Sequence, residues 1–201
     1  MNNFEKIKLL LEQNNGILYV KELEENNIHR QYLKILEEKG EIIRILKGVY
    51  IDKDKDVNEF FIMSEKYKTG IFSHNTALYF YNLTDRTPIN LDMTFPSNVR
   101  NKNDFLESHY IKPELHSLGQ TILELEDGTN IRIYNIERTI CDIIRDRNKI
   151  DPQIFNTAMK EYFKRSDKNL NLLYKYAKEF KIDKILKKYM EVLDWKRTQW
   201  A

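Results

Sequence analysis

The chain has 201 residues, 41% hydrophobic and 32% charged, a balance that builds a packed core and excludes a disordered chain; this length suits one large domain or a small module joined to a larger one. The longest apolar runs, such as Ile71-Phe72 and Ala77-Leu78-Tyr79-Phe80-Tyr81, fall far below the ~20 residues of a membrane span, and the single cysteine, Cys141, excludes an internal disulfide and a cysteine-built metal site. A net charge of +2 does not by itself argue for nucleic acid, so the placement of Lys and Arg must carry that case.

In chain order, Met1-Asn2-Asn3-Phe4-Glu5-Lys6 has neither the basic start nor the apolar stretch of an export signal, and a cytoplasmic protein is expected. Phe4, Ile7, Leu10 and Leu11 recur at helical spacing until Asn14-Asn15-Gly16 ends the pattern. After an extended Ile17-Leu18-Tyr19, a second helix fits Val20 to Glu25, broken by Asn26-Asn27, and a third fits Arg30 to Lys39, closed by Gly40. Ile28, Leu33 and Leu36 form the buried stripe of the third. Two β-prone runs follow, Ile42 to Leu46 and Val49 to Ile51, joined by Lys47-Gly48 as a hairpin turn. Helix, helix, tight turn, helix and hairpin within about fifty residues define a winged helix-turn-helix, whose later helix enters the major groove of DNA.

The charge-alternating run Asp52-Lys53-Asp54-Lys55-Asp56 reads as a linker between residues 1–53, the winged domain, and residues 57–201. An EF-hand calcium loop starting at Asp52 would need Gly where Val57 stands and Glu where Met63 stands, so no metal is expected there. A helix over Val57 to Tyr67 precedes a short apolar run to Ser73, which is expected to cap a helix over Asn75 to Tyr81 with its hydroxyl. Strand-like runs follow at Leu91–Phe95, Ser108–Ile111, Thr121–Leu125 and Ile131–Tyr134, the last two joined at Asp127-Gly128. Helices then fit from Ile136, with Ile140, Ile143 and Ile144 on one face, and over Pro152–Arg165, Leu170–Phe180 and Asp183–Trp195. Cys141 falls in that first helical pattern as a reduced core residue. The fold class is therefore α+β: a winged helix-turn-helix followed by a mixed α/β domain ending in a helical bundle.

The expected DNA-contacting residues are His29, Arg30, Gln31, Tyr32 and Lys34 at the start of the third helix, all able to donate hydrogen bonds to base edges, with Lys39, Arg44 and Lys47 placed for phosphates. Arg30 suits guanine and Gln31 suits adenine. Glu37, Glu38 and Glu41 weaken the field, so affinity is expected to depend on dimerisation. The C-terminal helices carry a basic series from Lys160 to Arg197, which fits a solvated bundle surface, a DNA-backbone contact or an acidic protein partner.

Motifs for catalysis are incomplete. Asp92 lies on a strand, but Glu124-Leu125-Glu126 lacks the Lys of a restriction-type nuclease, and there is no P-loop. Ser73-His74 are neighbours at a helix start and are not expected to set a base against a hydroxyl. His109 and His116, with Glu114 nearby, read as isolated structural histidines. No cofactor, metal or catalytic residue is expected.

Ser73-His74-Asn75-Thr76-Ala77-Leu78 and Glu137-Arg138-Thr139-Ile140-Cys141-Asp142, with Gly48-Val49-Tyr50 at the end of the hairpin, resemble the AbiEi family of antitoxins from type IV toxin-antitoxin, abortive-infection systems. The resemblance implies an N-terminal domain that binds inverted repeats of double-stranded DNA in its own promoter and represses the operon, where a homodimer on DNA is the expected form. The homodimer follows from the dimerisation expected of the weakened field; the resemblance further implies a C-terminal domain that supports promoter binding and neutralises a nucleotidyltransferase toxin, neither part being an enzyme. The matching residues Ser73, His74, Ala77, Leu78, Arg138, Thr139 and Asp142 read as fold-forming, Arg138 and Asp142 standing one helical turn apart and able to pair. A winged-helix regulator without a toxin, or a nucleic-acid-modifying enzyme with a winged targeting arm, are the alternatives.

Overall fold

The computed structural model describes residues 2–100 and 106–198, with side chains through residue 191. Two compact units emerge. The first holds the residues up to Lys68 together with Glu124–Ile131; the second holds Thr69–Leu123 and the residues from Arg132 on.

The first unit begins with α1 (Asn3–Gln13), capped by Asn2 and Glu5 in a reciprocal capping box. Gly16, at φ +81°, ends it and turns the chain into β1 (Ile17–Tyr19). Then come α2 (Val20–Glu25) and α3 (Gln31–Glu38), followed by β2 (Ile42–Leu46), β3 (Val49–Asp52) and α4 (Glu59–Lys66). The three strands form an antiparallel sheet in the order β1-β3-β2, with Leu18 opposite Tyr50 and Ile43 opposite Ile51. Gly48, at φ +83°, makes the tight turn between β2 and β3 that a side chain would strain. Ile7, Leu11, Leu18, Leu23, Ile28, Leu33, Leu36, Ile42 and Tyr50 close one core under the three helices. This is a winged helix-turn-helix: each helix contributes one apolar stripe, and burial of each large stripe residue is worth ~1.5–3 kcal/mol.

The second unit is built from β4 (Ile71–Phe72), α5 (His74–Phe80), β5 (Leu91–Pro96), β6 (Leu106–Ile111), α6 (Pro113–His116), β7 (Gln120–Glu124), β8 (Asn130–Tyr134), α7 (Ile136–Arg145), α8 (Pro152–Lys164), α9 (Leu170–Glu179) and α10 (Asp183–Thr198). Its sheet runs β6-β5-β4-β8-β7 and is mixed: β4 lies antiparallel to β5 and parallel to β8, while β5 and β6 run parallel with Thr94 opposite His109. The helix α7 packs on α5, α8 and α9. Glu137 through Ile144 are all buried, and Leu78, Ile140, Cys141, Ile143, Phe155, Tyr162, Leu173 and Leu186 join one helical core. Cys141 is fully buried and burial pushes its thiol up, as befits a core residue. No helix among the described residues is long and apolar enough to cross a membrane.

Two details differ from the sequence reading. A short helix, α6, separates β6 from β7, started by Pro113, whose missing N–H costs nothing at a first helical turn. Ser73 stands at the N-cap position of α5, yet its hydroxyl makes no capping bond. The reason is competition, since that hydroxyl is taken by Thr94 and lies against His74.

Candidate functional site

A groove of about 550 Å³ in the first unit is lined by Lys21, Arg30, Lys34, Arg44, Lys47 and Lys68, with Glu24 and Glu37 as its acids and Tyr19, Leu33, Val49 and Tyr50 among its other walls. Four of the eight sequence-selected residues, Arg30, Lys34, Arg44 and Lys47, thus share one concave surface between α3 and the β2–β3 hairpin. Lys21 and Lys68 also line it, and neither was singled out from the sequence. Lys21 stands in the first turn of α2, and only the folded helix-turn-helix brings it beside α3.

The other four lie outside that lining. His29 is exposed, and its Nδ1 accepts a hydrogen bond from the Gln31 backbone N–H at 3.2 Å, serving the first turn of α3. Gln31 is exposed on that turn. Tyr32 is half-buried, its ring edge-on to Phe4 at 5.0 Å, which commits the ring to the core. Lys39 sits at the C-cap of α3 with its Nζ 5.1 Å from the centre of the Phe4 ring.

The groove cations are not equivalent. Arg30 is ion-paired to Glu24 of α2, and Lys34 to Glu38 at 3.7 Å. Arg44 and Lys47 have no carboxylate partner among the described residues; Arg44 Nε instead donates to the Leu46 carbonyl at 3.4 Å. The pairs at Arg30 and Lys34 are exposed, and such pairs exchange at a cost of ~0–1 kcal/mol. All four cations can therefore face a phosphate backbone.

In the second unit the structure assembles a cluster that the sequence reading kept apart. His74 begins α5 at φ +45°, a left-handed conformation that costs a non-glycine residue ~1–3 kcal/mol. Its Nδ1 lies 3.0 Å from Ser73 Oγ and its Nε2 3.0 Å from Asp146 Oδ2, just beyond α7. The His74 ring stacks on His109 of β6, with centroids 3.5 Å apart and planes 12° from parallel. His109 Nε2 in turn meets Asp92 Oδ1 of β5 at 2.7 Å. The His74 hydrogen bond is the main force holding the Asp146 carboxyl low, at about 2, against the opposing effect of burial, and the charges of His74, Arg145 and His109 add to it.

Ser73 and His74 are thus in contact after all, contrary to expectation. Adjacent residues can touch here because the left-handed backbone of His74 folds its ring back over Ser73. The arrangement is not a nucleophile with its base. Ser73 is fully buried, its Oγ accepts a hydrogen bond from Thr94 at 2.8 Å, and it is absent from the lining of the neighbouring cavity. The ring is also reversed, Nδ1 facing the hydroxyl and Nε2 the carboxylate, opposite to a serine-hydrolase triad. His109 is likewise not isolated. His116 stands apart on α6, its Nε2 3.2 Å from the Thr94 carbonyl oxygen, and burial chiefly holds its ring toward the neutral form.

The Glu137-Arg138-Thr139-x-x-Asp142 string is structural throughout. Arg138 is fully buried, its Nε donating to Asp142 Oδ2 at 3.0 Å across one helical turn and its Nη1 to the carbonyls of Leu115 and Leu118. Its guanidinium lies 3.9 Å from the Tyr134 ring centre and 4.5 Å from that of Phe180. A Cβ on Gly119 would collide with Arg138, so this close approach needs glycine. Glu137 accepts from the Asn169 backbone N–H at 2.9 Å, fixing the start of α9, and Thr139 donates to the Asn135 carbonyl at 2.9 Å.

Fold and surface together define a winged-helix protein with an α+β second unit and a basic groove beside its third helix. A family model described as a transcriptional regulator, AbiEi antitoxin, matches residues 5–51, the span of the winged module. Among solved structures, that of the RV2827C protein from Mycobacterium tuberculosis is similar, with a TM-score of 0.56 over 86% of this chain and 69% of that one at 10% identity. That likeness is one of fold. No curated protein matches the chain.

Proposed function

We propose that the chain is a DNA-binding antitoxin that represses its own operon and neutralises a nucleotidyltransferase toxin, acting in the cytoplasm without catalysis of its own. The observation that carries this reading is the groove in which Arg30, Lys34, Arg44 and Lys47 converge between α3 and the hairpin, in the segment similar to AbiEi regulators. In this reading α3 enters the major groove, with Arg30 and Gln31 facing base edges. His29, Tyr32 and Lys34 flank them, and Lys39, Arg44 and Lys47 take phosphates. Residues 1–53 serve as the DNA-binding domain and residues 57–201 as the part that supports promoter binding and meets the toxin. Inverted repeats call for two copies of the chain on one operator.

The test is fluorescence anisotropy with the duplex upstream of the protein's own operon, titrated over a range of salt. Binding should weaken on a log–log line with a slope of about −0.9 per phosphate contact. Joint replacement of Arg30, Lys34, Arg44 and Lys47 by Ala should abolish the specific complex; retention of it would refute the assignment. Growth rescue on co-expression with a nucleotidyltransferase from the neighbouring reading frame tests the antitoxin half, and failure of rescue by a well-expressed chain would refute that half alone.

A further inference from the structure

The cluster around His74 lines an open cavity of about 790 Å³ that Arg86, Arg145 and Lys149 also border, and the DNA-binding reading makes no use of it. From this geometry we propose that His74, His109 and Asp146 form a binding site for a transition-metal dication of the zinc class, with Asp92 as the orienting partner of His109.

Several observations support the assignment. One ligand atom from each of His74, His109 and Asp146 lies within 4.8 Å of the other two, and the three residues come from separate parts of the chain that the fold converges on one point. The His74 Nε2 to Asp146 Oδ2 distance of 3.0 Å is close to the ~3.3 Å that separates two ligands of one tetrahedral ion with bonds of ~2.0–2.1 Å. The ion would replace that hydrogen bond. Because an imidazole binds a metal in its own ring plane while the two rings stack 3.5 Å apart and 12° from parallel, His109 would have to turn out of the stack about its bond to Asp92 as well as move inward by roughly an ångström or more to complete the set.

The surrounding contacts are those a ligand set requires. Asp92, almost fully buried, accepts from His109 Nε2 at 2.7 Å, which holds the ring and leaves Nδ1 to the ion, the carboxylate–histidine–metal arrangement. Ser73 Oγ at His74 Nδ1 can either donate or accept, so it supports the tautomer in which Nε2 is the ligand. Imidazoles bind metals as neutral ligands, so Asp146 and Asp92 supply the negative charge that faces the dication. Arg145, 3.9 Å from Asp146, with Arg86 and Lys149 on the cavity wall, opposes it, and the ion takes the place of Arg145 beside that carboxylate. The strained φ of His74 is what holds the ring in this place. Two nitrogen donors favour zinc-class ions over magnesium or calcium, and three protein ligands leave a position open toward the cavity.

The test uses the full-length chain without a histidine tag, stripped with EDTA and titrated calorimetrically with Zn2+, Co2+ and Mg2+ in turn. The expected result is one Zn2+ per chain, Co2+ binding with ligand-field bands of an imidazole site, and no comparable uptake of Mg2+. Asp146→Asn and His109→Gln, at partly buried positions with about a fifth of each side chain exposed, should each weaken Zn2+ by more than tenfold, and Asp92→Asn by about 10- to 100-fold. His116→Gln should leave binding unchanged. Circular dichroism of each metal-free variant establishes that it is folded, and Asp146→Asn carries the test if His109→Gln is not. The proposal is overturned by absence of saturable Zn2+ binding, by equal preference for Mg2+, or by Zn2+ binding that persists in the folded variants. None of these outcomes bears on DNA affinity, so the two readings fail separately.

Discussion

The two units use charge in opposite ways. In the winged helix the cations that matter stand on the surface: Arg44 and Lys47 face solvent, and Arg30 and Lys34 hold exposed partners. In the second unit Arg138 and Asp142 are buried in the core at 3.0 Å, and Asp92, His74 and Glu137 are nearly as deeply enclosed. Surface charge contributes little to stability and much to long-range attraction of a polyanion. Buried charge acts the other way: each desolvated group must be paired, and losing one partner strands the other. The winged unit should therefore tolerate changes to its charges with loss of binding alone, and the second unit should answer with loss of structure.

The largest expected effect follows from Asp142→Ala. It removes the acceptor of both Arg138 and Arg145 and leaves the Arg138 guanidinium buried without its counter-charge, at a cost of ~3–5 kcal/mol. Urea denaturation measures this, and Cys141 reports it independently. A buried thiol pushed up by burial reacts with a disulfide reagent only when the helical core opens, so labelling should accelerate sharply in the variant. A loss below ~1 kcal/mol would mean that the pair is dispensable and would break the contrast between the units.

At intermediate size, Arg44→Ala and Lys47→Ala should each lower the salt slope of DNA binding by about 1, with a joint loss of roughly tenfold in affinity, or ~1.4 kcal/mol. Stability should stay within ~0.5 kcal/mol, as for exposed side chains without a structural role. Salt-titrated anisotropy and a thermal melt measure the two halves. A destabilised double variant would show that the hairpin charges hold the fold.

The same contrast explains what could be read from the sequence. The winged helix was legible because its signals are local: helical apolar spacing, and turn residues where the backbone is left-handed, at Gly16, Asn27, Gly40 and Gly48. The i,i+4 spacing of Arg138 and Asp142 predicted a pair that the structure contains. The histidine–carboxylate cluster was not legible. His74 and Asp146 are 72 residues apart, and His109 reaches them only because β5 and β6 pair in parallel, with Thr94 opposite His109. Neither the register nor the positive φ of His74 leaves a mark on local spacing. Ser73 looked like a cap for the same reason, since its competing partner Thr94 arrives from another strand. Lys21 carries no local signal either, because the groove it lines exists only once α2 and α3 are packed.

The smallest effect is the most discriminating. Glu24 holds Arg30 through an ion pair exposed on both sides, so Glu24→Gln should release a side chain that the proposed base contact would use and also remove a negative charge from the groove wall. Exposed pairs are worth ~0.2–1 kcal/mol, which limits the gain in DNA affinity to about fivefold, and the gain should shrink as salt screens both terms. The two contributions separate in a double-mutant cycle with Arg30→Ala. If the gain vanishes when Arg30 is absent, the carboxylate acts by sequestering that arginine; if it persists, the effect is general repulsion of phosphate. Weaker binding by Glu24→Gln would reverse the reading, because Glu24 would then be holding Arg30 in its DNA-contacting position rather than competing for it.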